Sequence, residues 1–139
     1  MKKIFLCPLA AAALLLNTGC HLKESYQKNE SARVAYLQEK KAGPAKINIE
    51  GVWYSPDWGI VVLKQHPGGK VTGMSSDWAN VDGIVTGNKV FLTFVDSGWT
   101  EYTVELKRPQ WDRLTGLYSA HVPFSETDQE KVVLERIRR

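Results

Sequence analysis

From Ile47 onward, β-branched and aromatic residues dominate in runs of five to ten, separated by turn-forming residues. The runs predict strands over 50–55, 58–66, 69–76, 81–86, 89–96, 99–107, 112–121 and 130–137. Breaks fall at Pro56-Asp57, Pro67-Gly68, Asp77 to Asn80, Gly87-Asn88, Ser97-Gly98, Pro109-Gln110 and the longer Val122 to Gln129. Within the runs, apolar residues recur every second position. Val90, Leu92 and Phe94 share a face, as do Tyr102, Val104 and Leu106, and Val61, Leu63 and Gln65. Gly87-Asn88 suits a two-residue hairpin, because glycine takes the positive φ of a primed turn. Gly73, Gly83 and Gly116 fall inside runs, where glycine marks a bend or a close backbone approach. No helix is predicted after Ile47.

Short connections make each strand antiparallel to the last. About eight such strands curl, and closing the sheet removes its unpaired edges. The expected fold class is all-β: a small antiparallel up-and-down barrel of about eight strands, preceded by a signal peptide and a polar tether. A pair of packed sheets is the alternative. The large residues on the inward-facing positions, Trp53, Leu63, Leu92, Phe94, Val104, Leu106 and Leu134, would nearly fill an eight-stranded barrel.

In a meander, odd-numbered turns gather at one end. Trp58, Trp78 and Trp99 lie at turns one, three and five, beside Asp57, Asp77 and Asp96. These six residues form a candidate binding rim, joined by turn seven. Two readings compete: the rings fold inward and plug the mouth, or they face outward with the carboxylates and bind a glycan, a small cationic or apolar ligand, or an envelope protein. The opposite end carries Lys64, Lys70, Lys89, Lys107, Arg108 and Arg113, with Arg136-Ile137-Arg138-Arg139 at the tail. The tether reaches strand one at that basic end, so the expected molecule is tethered below and aromatic above, its basic face toward anionic headgroups.

Ahead of the barrel the pattern differs. Met1-Lys2-Lys3 is a basic head, Ile4 to Leu16 is apolar, and Thr18-Gly19 are small residues before Cys20, the layout of a secretory signal. The apolar run is shorter than the about 20 residues a spanning helix needs. Leu15-Leu16-Asn17-Thr18-Gly19-Cys20 resembles a bacterial lipobox, with Asn17 departing from the usual aliphatic residue. The resemblance implies that residues 1–19 are removed and that Cys20 is acylated, attaching the chain to a membrane. Because His21 is not Asp, it also implies the outer membrane, facing the periplasm. A plain signal cleaved nearby is the competing reading. Residues 20–46 read as a lipid-anchored tether with a short helix near Glu30 to Lys41, where Val34, Ala35 and Leu37 lie loosely on one side, stopped by Gly43-Pro44. The barrel domain is 47–139.

Gly51-Val52-Trp53 resembles the Gly-x-Trp that opens the first strand of lipocalin- and avidin-like barrels. The resemblance implies that Trp53 packs across the barrel floor against a basic residue of the last strand, for which Arg136 is the candidate. It covers residues 50 to 137 as a strand pattern and only Gly51 and Trp53 as a motif.

Composition is that of an ordinary folded protein, 43% hydrophobic and 24% charged. Removing Lys2 and Lys3 takes 18 basic side chains to 16 against 15 acidic. That near-neutral balance is no nucleic-acid footprint. With Cys7 in the signal and Cys20 committed to lipid, the mature domain holds no thiol for a disulfide or a metal. His66 and His121 are expected at opposite ends, so they share no metal. His121 with Ser125 and either Asp128 or Asp77 superficially suggests a triad, without a nucleophile elbow. Asp57 and Asp77 could pair as glycosidase carboxylates only if close. No catalytic residue, metal or cofactor is assigned.

The sequence therefore points to an envelope lipoprotein carrying a non-catalytic barrel as a binding module. The alternative is an inhibitor of a secreted or periplasmic hydrolase.

Overall fold

A computed structural model describes residues 9–76 and 78–138, with side chains described from His21 onward. One helix, α1 (Leu9–Lys40), is followed by eight strands: β1 (Gly51–Ser55), β2 (Gly59–Gln65), β3 (Lys70–Ser75), β4 (Ala79–Thr86), β5 (Lys89–Asp96), β6 (Trp99–Gln110), β7 (Arg113–Ser119) and β8 (Glu130–Arg136). Each strand pairs antiparallel with the next, and β8 returns to β1, closing an up-and-down barrel. The closing seam is short. Trp53–Arg136 and Tyr54–Glu135 stand opposite each other across it, and just beyond them the Ile137 amide donates to the Val52 carbonyl at 2.8 Å.

The alternation read from the sequence is the alternation of the wall. Val61, Leu63, Val90, Leu92, Phe94, Val104, Leu106 and Leu134 are buried in one central cluster with Trp53. Turn chemistry holds the register. Gly87 takes φ +57° at the β4–β5 hairpin. At Gly73, Gly83 and Gly116 a Cβ would run into the backbone carbonyls of Val62, Phe91 and Glu105, so these strands coil too tightly for a side chain. Pro109 does not end its strand. β6 continues to Gln110 across a register shift after Lys107, the local irregularity that accommodates a proline. Gly68 and Gly69, both at positive φ, form a 3-10 turn with Pro67 before β3 begins.

Residues 21–40 are helical throughout, and the second half of α1 is seated on the barrel wall instead of hanging free. Asn29, Arg33, Tyr36, Leu37 and Lys40 recur at helical spacing along one side. Asn29 Oδ1 accepts the Thr100 amide proton at 2.8 Å. Arg33 pairs with Asp82 at 2.9 Å and Lys40 with Glu105 at 3.2 Å. Tyr36 is buried against Ile84 and Phe91, with Leu37 and Phe124 packed around them.

This contact order fixes the direction of the helix. Thr100 is the second residue of β6, at the end where the tryptophan turns gather, whereas Ala42, just past the helix, gives its amide proton to Thr86 at the other end. The chain therefore runs down the outside of the barrel, crosses beneath it and enters β1 from below. Residue 20 lies nine residues above Asn29, about 14 Å at 1.5 Å per residue. The expectation that the tether leaves from the basic end is corrected. Strand one does begin there, but the preceding helix carries residue 20 back to the aromatic end.

Candidate functional site

Among the described residues, those singled out for the rim and those singled out for the floor lie at opposite ends of the barrel. At the mouth, the odd-numbered turns bring Trp58, Trp78 and Trp99 to one pole, but not to one surface. Trp58 is 5% exposed. Its ring lies 4.5 Å from Phe94 and 5.1 Å from Tyr118, centroid to centroid. Trp78, half-buried, stacks on Phe94 at 6.0 Å and meets Tyr102 edge-on. Tyr102 and Tyr118 complete the cluster at 5.3 Å. The mouth is thus filled by interlocked aromatic rings at separations that favour edge and offset contacts. Trp58 is part of the plug and offers no stacking platform.

Trp99 is the exception, 38% exposed on the outer lip. It meets Tyr26 of α1 edge-on at 5.5 Å. Asp57 and Asp96 are exposed, the latter accepting a hydrogen bond from the Ser97 hydroxyl at 3.2 Å. Asp77 lies outside the described residues, and so does its relation to Asp57. Turn seven holds His121 Nε2 2.6 Å from Asp128 Oδ2, both side chains open to solvent. The Ser125 hydroxyl is bonded elsewhere than to the His121 ring. It contacts Thr127 and accepts the Asp128 amide proton, so the three residues form a turn and not a relay. Beside it, Tyr118 donates to Glu130 at 2.6 Å, and that bond to an acceptor, more than burial, pushes its phenol up to about 12.

The floor is built differently. Arg136 lies over the Trp53 ring at 4.3 Å, within cation–π range. Its Nε donates to the Trp111 carbonyl at 3.2 Å and its Nη1 to the Glu50 carbonyl. Partial burial, and secondarily the Arg108 charge, lower its pKa. The Trp53 indole donates to the Ile49 carbonyl at 2.9 Å. Gln65 answers the same segment, accepting from the Ile49 amide and donating to the Ile47 carbonyl, each at 2.9 Å. Gly51, at φ +145°, explains the first letter of the Gly-x-Trp motif, since a Cβ there would strike the Arg136 guanidinium. His66, also at this end, contacts Thr72 Oγ1 at 2.7 Å.

Sequence reasoning missed Tyr102 and Tyr118 as members of the mouth, although both lie on inward positions of their strands. It also missed the 44–49 segment as the floor plate, where Ile49 is fully buried. Among the described residues, no group of three or more His, Cys, Asp or Glu side chains is placed to hold a metal. No helix there is long and apolar enough to cross a membrane. No family model, curated protein or solved structure matches the chain.

Proposed function

We propose that the chain is a lipid-anchored envelope protein, acylated at Cys20, whose barrel is a non-catalytic binding module that engages partners on its outside. The observation that supports this most directly is closure at both ends. With the mouth filled by Trp58, Trp78, Phe94, Tyr102 and Tyr118 and the floor by Ile49, Trp53 and Arg136, the space inside is taken up by side chains. Recognition then falls to the walls and to the exposed lip around Trp99, Asp57 and Asp96.

The anchor also has a direction. Because α1 rises past the mouth, acyl chains on Cys20 would put the lip toward the membrane and the floor into the aqueous space. Tyr26 and Trp99 would then stand at headgroup level, where amphipathic rings are favoured. Mass spectrometry of the mature amino terminus tests the anchor, and an unmodified Cys20 ends that part of the reading. Vesicles with brominated acyl chains test the direction. Replacing Trp99 by Phe should remove most of the quenching, while Trp111→Phe at the floor leaves it unchanged; the opposite pattern would invert the molecule. Capture from envelope extract tests the module itself, and recovery of an active hydrolase would replace this reading with that of an inhibitor.

A further inference from the structure

A second feature lies on the outer wall of β5 to β8, below the end of α1. Lys89 and Lys107 are direct cross-strand partners in the β5–β6 ladder. Like charges directly opposite each other destabilise a sheet. Lys131 on β8 and Lys40 on the last turn of α1 line the same groove, which encloses about 560 Å³. That is within the roughly 300–1,000 Å³ range of small-molecule sites. The groove's acid is Glu105, already paired with Lys40. Among the described residues, Lys89, Lys107 and Lys131 have no acidic partner within 4.0 Å. Beside these lysines the lining is apolar, with Leu117 and Val133 half-buried on the wall and Phe91 buried behind Lys40 and Tyr36.

Positive charge around an apolar bed is complementary to a ligand with one anionic end and a hydrocarbon body. We infer that this groove binds a single-chain fatty carboxylate, its head held between Lys89 and Lys107 and its chain laid across Leu117 and Val133. The head supplies the counter-charge that the facing lysines lack. The chain covers the half-buried Leu117 and Val133.

The test uses the full chain carrying Cys20→Ser, which keeps every contact between helix and barrel and withholds the chain's own acyl groups. Laurate, below its micelle concentration, is titrated by calorimetry, with acetate and dodecyl maltoside as probes for head and tail alone. Laurate should bind saturably at one site, and more weakly as salt rises. Acetate and dodecyl maltoside should bind at least tenfold more weakly. Lys89→Gln with Lys107→Gln should reduce laurate affinity at least tenfold while the melting temperature holds or rises. Equal laurate binding by the double variant would overturn the inference. So would equal binding of dodecyl maltoside, or the absence of a saturable site.

Discussion

The two ends of this barrel are closed by different physics. The floor is a directed network: an indole N–H on a carbonyl, a guanidinium over a ring and on two carbonyls, and an amide side chain bonded twice to one segment. The mouth is a stack of rings whose contacts are mostly with each other. A directed network tolerates little change, because a partner lost from a buried bond, such as that of the Trp53 indole, leaves a group unsatisfied. A ring stack depends on volume and can refill. The comparison teaches that the floor fixes one geometry, while the mouth mainly excludes water.

Mutations can break or sharpen this contrast. The largest effect is expected from Trp53→Ala, which should cost about 3–5 kcal/mol by urea denaturation, the usual range for emptying an aromatic core site. The sharper comparison keeps an aromatic ring. Trp53→Phe should cost about 1–3 kcal/mol more than Trp58→Phe, because only the former strands a carbonyl acceptor. Equal losses would show that the floor, too, is held by volume alone. Gly51→Ala should cost about 1–3 kcal/mol through a disfavoured φ and the displaced Arg136 side chain. Trp99→Ala, at the open lip, should stay within about 0.5–1 kcal/mol of wild type.

Alkali probes the mouth in another way. Tyr118 has its pKa raised, from 10.0 to about 12, chiefly by its bond to Glu130. Its contribution is complete below the unfolded value and is lost as pH climbs through the folded one. Stability should therefore fall between about pH 10 and 12, and more gently in Tyr118→Phe. Tyr36, under α1, is shifted in the same direction, mainly by burial, so some alkaline loss should remain in that variant. Denaturant midpoints across this pH range measure both.

The fold was legible because alternation and turn residues agree along the whole barrel. Val90, Leu92 and Phe94 name their own face, and the hairpin glycines name the breaks between strands. The tryptophan pole followed from counting turns. What remained hidden was how each ring tips, since one sequence position at a turn serves Trp58, pointing in, and Trp99, pointing out, equally well. The seat of α1 was hidden for another reason. Its contact side is largely polar: Asn29, Arg33 and Lys40 with Tyr36 and Leu37, while Val34 is exposed. Hydrophobic periodicity cannot reveal a helix that docks mainly by hydrogen bonds and ion pairs. Reading that segment as a tether reversed the direction expected for the molecule.

The course of α1 has a mechanical consequence. If residue 20 were held and the carboxyl terminus pulled, tension would reach the helix at its upper end. Asn29, Arg33, Tyr36 and Lys40 would then release in succession, like a zipper, before any strand pair parted. Single-molecule extension should accordingly record a low-force step for helix release ahead of the rupture at the short β1–β8 seam, making α1 a built-in shock absorber for the barrel.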